Sequence, residues 1–329
     1  RQAVKVLVTG ATSMIGSATV ECLVRRGDEV TTLQRNPVEV RSDGSTPTEV
    51  LGSITDEEVV SRACAGQDAV IHLAAKVGVT GPWAEYEDTN VSGTVHLIRH
   101  ARQAGVSRFV HVSSPAVAHG GDPLIGAGAD PADPGHTRGH YATSKAMAEL
   151  QALDGSTDEM PILAIRPHLV WGPGDTQLVG RIVERGRQGR LALVGSGAAL
   201  IDTTYVDNAA DALVAALDRA PQLGGRAFVV SNGEPRTVHE LVARILAAAD
   251  VAWSPRRVPA SVAKSGGSVV ERVWERTGRT DDPPMTSFLA EQLSTAHWFD
   301  QRQTREALGW QPRITLAEGF ERLGAWYQA

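Results

Sequence analysis

The sequence predicts an α/β fold: a doubly wound parallel sheet that carries a smaller C-terminal lobe. Three observations predict it. Short apolar runs at 4–8, 29–33, 48–51, 69–73, 108–112 and 162–166 alternate with helical stretches, and such alternation implies parallel strands covered on both faces. The first run, Val4-Lys5-Val6-Leu7-Val8, enters a helical stretch at Ser17–Arg26 through the glycine-punctuated turn Thr9-Gly10-Ala11-Thr12-Ser13-Met14-Ile15-Gly16. The chain has 329 residues, and single cores stop growing near roughly 250–300, so a second lobe is expected.

Taken in order, the elements bring a set of chemical groups with them. A strand–glycine turn–helix lets backbone approach a pyrophosphate, whose charge then sits at the helix N-terminus; this assigns Gly10, Thr12, Ser13, Met14, Ile15 and Gly16 to a dinucleotide. Ser13 stands where the middle glycine of that pattern is expected, so it either meets phosphate through its hydroxyl or marks a position that tolerates a side chain. The second strand ends in Gln34-Arg35-Asn36. An acid there would hold the ribose 2′-hydroxyl of NAD, whereas arginine accommodates the 2′-phosphate of NADP, so Arg35 favours NADP(H) with NAD(H) possible. Ser53, followed by Ile54 after the third strand, replaces the acid that often meets adenine in related folds.

A helix from about Glu85 to Ala104 shows apolar residues at Val91, Val95 and Ile98, a helical period. The fifth run, Arg108-Phe109-Val110-His111-Val112, ends in Ser113-Ser114 and so sets hydroxyls at a strand's carboxyl end, where open α/β sheets bind ligands. Gly120–Gly139 is a glycine, proline and aspartate loop, a candidate lid. It leads into Tyr141-Ala142-Thr143-Ser144-Lys145, a phenol and an ammonium one helical turn apart. A free tyrosine titrates near pH 10, and a neighbouring cation favours its phenolate, which makes the pair a proton donor. Beyond Gly172 the pattern loosens, the chain returns to the main sheet at about 200–230, and 258–284 remains ambiguous. There Val262, Val269, Val270, Val273 and Trp274 predict an amphipathic helix that packs on a core or roofs a greasy pocket, with packing favoured.

Together these residues resemble the extended branch of the short-chain dehydrogenase/reductase superfamily, over nearly the whole chain, and its Rossmann fold. The resemblance implies Ser114 as catalytic hydroxyl, Tyr141 as proton donor, Lys145 as its partner and Asn90 as the anchor of a relay water. It places Leu73, Ala74, Ala75 and Lys76 beside the riboses, and Pro167, His168 and Val170 on the turn that meets the carboxamide; Tyr141 and Lys145 also touch the cofactor. A closer resemblance is to the 3β-hydroxysteroid dehydrogenase family, and within it to the bacterial 2-alkyl-3-oxoalkanoate reductases of olefin and β-lactone biosynthesis. Ala74–Gly78, Trp171–Asp175, Ser231–Pro235, Pro283–Phe288, Glu291-Gln292-Leu293 and His297-Trp298 carry it. His168 departs from it, standing where arginine or a small residue is expected.

The implied domains are 1–170 with 200–232 for NADP(H) and 171–199 with 233–329 for substrate. The implied reaction is NADPH-dependent reduction of a 2-alkyl-3-oxoalkanoic acid to the 3-hydroxy acid. Alternatives are a 3β-hydroxysteroid or C4-carboxysterol dehydrogenase, a nucleotide-sugar epimerase or dehydratase, and a non-catalytic NADP sensor, the last opposed by the intact Tyr141/Lys145 pair. A 3-oxo acid needs a cation or donor near its carboxylate; Lys76 is the best-placed candidate, Arg138 and His168 weaker ones, with Ser114 on the ketone.

Composition agrees. A net charge of -6 and a pI near 5.9 give no basic footprint for nucleic acid. No apolar run approaches the ~18 residues of a membrane span, and the chain opens on a strand, so a cytoplasmic protein acting on a small hydrophobic keto or hydroxy substrate is expected. Cys22 and Cys64 read as reduced thiols, the histidines show no metal-ligand spacing, and the family implies a homodimer.

Overall fold

The computed structural model describes residues 3–37, 47–78, 80–277 and 294–329. The cofactor half opens with β1 (Lys5–Thr9), α1 (Met14–Arg25), β2 (Glu29–Gln34), β3 (Thr48–Leu51), α2 (Glu57–Cys64), β4 (Ala69–His72), α3 (Trp83–Tyr86), α4 (Gly93–Gln103), β5 (Arg108–Val112) and β6 (Leu124–Ala127). It continues through α5 (Gly139–Asp154), β7 (Ile162–Pro167), β8 (Val170–Trp171), α6 (Val179–Arg187), β9 (Ala192–Val194), β10 (Leu200–Ile201), β11 (Thr204–Tyr205), α7 (Val206–Leu223) and β12 (Ala227–Val230). The chain ends with β13 (Arg236–Thr237), α8 (Val238–Ala248), β14 (Arg256–Val258), α9 (Ala260–Thr277), β15 (His297–Phe299), α10 (Arg302–Leu308) and α11 (Leu316–Gln328).

Seven strands form one parallel sheet in the order β12-β7-β5-β4-β1-β2-β3. The order reverses direction between β1 and β4, and a doubly wound sheet opens its ligand crevice at that switch point. Alternation along the strands then decides what each face carries. Val6, Val8, Ile71, Val110 and Val112 point to the α1 and α7 side, whereas Leu7, Val70 and Phe109 point to the α2, α4 and α5 side. His72, His111 and Ser113 follow Val70 and Phe109 at steps of two, so they lie beneath α4 and α5.

All six expected strands of the main sheet are present, and α7 returns the chain to it through β12. The helix expected from about Glu85 starts at Trp83 and runs to Gln103, but Glu87–Ser92 within it is wound as a π-helix. Stretches from either side of the expected domain boundary interleave in three places. A second sheet, β13-β10-β15-β6, takes β6 from the cofactor half, because Leu124 and Ile125 pair with His297 and Trp298. It also takes β10, at Leu200–Ile201. Conversely, Leu308 and Trp310 of the terminal segment pack into the core of the main sheet.

The Gly120–Gly139 segment is not a free lid. β6 is built into the second sheet, Asp133 N–H bonds Val117 O, and Arg166 Nη1 donates to Asp130 O, which together make a fixed wall. Packing of the 258–284 valines is corrected as well. α9 forms, yet Val262, Val269 and Val273 are 58%, 57% and 45% exposed, and Ala263 makes the core contact with Val194. Pro283–Phe288 and Glu291-Gln292-Leu293 lie outside the described residues. Among the described residues no helix is long and apolar enough to cross a membrane.

Candidate active site

Between β1 and β4 the backbone comes close enough to exclude side chains. Gly10 has φ +73°, and a Cβ there would lie 2.8 Å from Ala74 N; a Cβ on Gly16 would lie 2.2 Å from Gly10 O. Ser13 needs no glycine, since its φ is -73°. It is the N-cap of α1: its Oγ accepts from Gly16 N at 3.1 Å and donates to Gly10 O at 2.8 Å. A cradle that bulk would fill, at the switch point and at a capped helix start, fits the pyrophosphate of a dinucleotide. Thr12 is exposed there, with Met14 and Ile15 half-buried behind it.

At the end of β2, Gln34 is buried and its amide donates to Glu49, while Arg35 is exposed. Ser53 Oγ bonds Thr55 Oγ1 at 2.8 Å, and Ile54 packs in the core, where a Cβ on Gly93 would meet its Cδ1 at 2.8 Å.

Under the turn runs a hydrogen-bonded line that the sequence did not announce. Thr94 Oγ1 donates to Asn90 O at 2.7 Å, so at its 2.9 Å contact with His72 Nε2 it must accept, which puts the ring proton on Nε2. Nδ1 therefore accepts from Thr9 Oγ1 at 2.7 Å, and Thr9 Oγ1 in turn accepts Ala74 N–H at 3.1 Å. Burial, aided by the charge of Lys145, pushes His72 down to about 3, so this single tautomer holds. Period-two alternation, which places Thr9 and His72 on one face, was the available signal.

Asn90, expected to hold a relay water, spends both amide protons on protein. It donates to Lys76 O at 3.0 Å and Ser144 Oγ at 2.9 Å, and its Oδ1 accepts Lys76 N–H at 2.7 Å. Ser144 Oγ donates onward to Tyr141 O at 2.9 Å. Asn90 thus fastens the exit of β4 to the first turn of α5, and the π-helical turn is what brings its amide there.

The three groups expected to do chemistry converge at the end of β5. Ser114 caps the short turn Pro115–Ala118 beside Tyr141; burial raises the phenol's pKa, and the nearby Ser114 hydroxyl opposes that rise. Lys145 is 3% exposed, donates to Val112 O at 2.6 Å, and is lowered to about 8 by burial, opposed by Glu149. Glu149, a turn further along α5, holds Arg166 through two hydrogen bonds of 2.5 and 2.9 Å.

Around this centre stand the substrate candidates. Lys76 Nζ lies 2.7 Å from Glu85 Oε2 and 5.1 Å from the centre of the Tyr86 ring. Arg138 is exposed at the N-cap of α5. His168 donates Nδ1–H to Asp202 O at 2.5 Å, and burial pushes it down to about 3, so it offers Nε2 as an acceptor and no charge to a carboxylate. Beside it stand Pro167, Val170 and Phe299, whose ring meets the imidazole edge-on at 4.9 Å.

Fold and site together define an NAD(P)-dependent oxidoreductase of the extended short-chain dehydrogenase/reductase type. The chain belongs to the NAD dependent epimerase/dehydratase family, whose model matches residues 6–231. It is similar to 2-alkyl-3-oxoalkanoate reductase of Stenotrophomonas maltophilia, 40% identical over 98% of both chains. Its identity to the protein of that name from Shewanella oneidensis is 36%, over 97% of this chain and 85% of the other. A 3-beta-hydroxysteroid dehydrogenase of Mycolicibacterium neoaurum is 30% identical, over 98% and 91%. Among solved structures, MoeE5 in complex with UDP-glucose and NAD superposes with a TM-score of 0.75 at 25% identity, covering 98% of each chain.

Proposed function

We propose that this protein reduces a 2-alkyl-3-oxoalkanoic acid to the 3-hydroxy acid with NADPH. The observation that carries the reading is Tyr141 set beside Ser114, one turn from the buried ammonium of Lys145, at a strand end beside the glycine cradle. The identity to two reductases named for that substrate, 40% and 36% against 30% for the steroid dehydrogenase, favours an acyl acid over a sterol. The cofactor, held by Gly10–Gly16, Ala74, Ala75 and Lys145, with Arg35 toward a 2′-phosphate, supplies the hydride.

What the chain's own residues do follows from their protons. Ser114 Oγ and Tyr141 Oη donate to the ketone oxygen, so charge arriving there meets donors already in place. Tyr141 then gives its proton to that oxygen. Lys145, charged below about pH 8, lowers the cost of the phenolate left behind. Asn90 and Ser144 hold this turn of α5 in register with β4. Lys76 meets the substrate's carboxylate.

Following NADPH absorbance with a 2-alkyl-3-oxo acid and with a 3-oxosteroid tests the substrate class; turnover of the steroid alone overturns it. Tyr141→Phe keeps the ring and removes the hydroxyl, so turnover is expected to fall by on the order of 10²–10⁴ with NADPH affinity near wild type. Near-normal turnover would sink the proton-transfer step.

A further inference from the structure

We infer that Glu85 is a resident counter-ion which the substrate's carboxylate displaces from Lys76, making this ion pair the element that selects acids over neutral ketones. The inference rests on the reading of Lys76 given above. The backbone of Lys76 is pinned on both sides, its N–H and C=O each bonded by the Asn90 amide, so only the side chain is free to choose a partner. Its ammonium rests on a fixed bed. Tyr86 is fully buried, and its hydroxyl is tied to Gly78 O and Thr80 O at 3.2 and 2.8 Å. The same ring lies 5.8 Å from that of His140, so the bed abuts the first turn of α5, the turn that carries Tyr141. Gly81 leaves room alongside, since a Cβ there would come within 3.3 Å of Lys76 Cε.

The bed is fixed and the counter-ion is not. Glu85 is 56% exposed on the first turn of the helix that starts at Trp83, and Lys76 is 27% exposed, so solvent screens the pair and its exchange costs little. A 3-oxo carboxylate whose alkyl chain is already bound competes for Lys76 at a high effective concentration; Glu85 then turns to water. A neutral ester cannot drive that exchange, so Glu85 keeps Lys76 satisfied and the site gains nothing from its charge.

The test compares kcat/KM for a 2-alkyl-3-oxo acid and its methyl ester, as a ratio, in wild type, Glu85→Gln, Lys76→Met and the double variant. With its competitor gone, Glu85→Gln is expected to raise the acid-to-ester ratio by on the order of twofold to fivefold. Lys76→Met lowers the ratio by about tenfold or more, and adding Glu85→Gln to it has no further effect. Lys76→Gln takes its place if the methionine variant misfolds. An unchanged ratio in Glu85→Gln beside a fall in Lys76→Met overturns the exchange and leaves Lys76 standing as the carboxylate's partner. An unchanged ratio in Lys76→Met overturns both. If wild type turns over no acid, the substrate reading falls, and binding of a 2-alkyl-3-hydroxy carboxylate decides the exchange alone: equal affinity in wild type and Glu85→Gln overturns it.

Discussion

Two ion pairs bracket the Tyr141–Lys145 turn, and they are built oppositely. Arg166 and Glu149 are each about 1% exposed and joined by a two-pronged contact, and Arg166 reaches on to Asp130 O. Lys76 and Glu85 touch through one contact, at 27% and 56% exposure. The first pair cannot be opened without stranding a charge in a dry interior, so it fixes geometry. The second is open to water and free to exchange, so it can read a ligand. Burial, more than charge, separates a positioning pair from a recognition pair here.

Breaking the buried pair is expected to give the largest effect. Arg166→Met leaves the Glu149 carboxylate buried without a partner and unhooks Asp130, for a loss of about 3–5 kcal/mol in urea unfolding. Combining it with Glu149→Leu removes the stranded charge and should restore most of that loss. A single variant within about 1 kcal/mol of wild type would erase the contrast between the pairs.

Arg35 is an open cation like Lys76, so its effect should appear in binding and leave stability alone. A charge-assisted contact with a 2′-phosphate is worth about 1.5–3 kcal/mol, and Arg35→Ala should raise the NADPH KM accordingly while barely moving that for NADH. Equal use of NADH and NADPH by the wild-type enzyme would remove Arg35 from the cofactor site.

The interior of the site also carries a pH signature. His72 and His168 are pushed down to about 3 and His111 well below its usual value, chiefly by burial. Below about pH 6.5 the unfolded chain protonates these rings and the fold does not, so each withdraws up to about 1.4 kcal/mol per pH unit as pH falls toward 3. Asp202, pushed up to about 6 by burial, acts in the opposite sense: it keeps its proton in the fold, which gains stability as pH falls from about 6 toward the usual carboxylate range. Three histidines outweigh one aspartate, so urea midpoints should decline from pH 7 to pH 5. His111, both of whose ring nitrogens are buried without a hydrogen-bond partner among the described residues, is the group to remove. His111→Leu should make that decline shallower, and an unchanged slope would show that His111 does not contribute to it.

What the sequence disclosed follows the same division. The strand–glycine turn–helix, the hydroxyls after β5 and the Tyr141–Lys145 spacing were legible because each is a local pattern within one or two elements, and the structure brings Ser114 to Tyr141. The second sheet was not, since its strands are two to four residues long, too short for a period, and come from four distant stretches. Asn90 was legible as a residue but its contacts were not: Lys76 and Ser144 lie 14 and 54 positions away and meet it at a π-helical turn. Glu85 carried no signal, because a glutamate on the first turn of a helix reads as a solvated charge.

The smallest expected effect is on the stability of the open pair, and it completes the comparison. A half-exposed lysine–glutamate contact gains little Coulomb energy over hydration and must order two long side chains, so such pairs contribute about 0–1 kcal/mol. Glu85→Gln keeps the length and shape of the side chain and removes only its charge, so the urea midpoint should stay within that range, and the residual difference should vanish in about 1 M salt, where screening acts within about 3 Å. The same substitution at Glu149 faces Arg166 in the interior and should cost several-fold more, with little response to salt because solvent ions do not reach it. Equal, salt-sensitive losses at Glu85 and Glu149 would mean that both pairs feel solvent alike. Lys76 would then have no special freedom to leave its partner, and the division of labour around Tyr141 would have to rest on something other than burial.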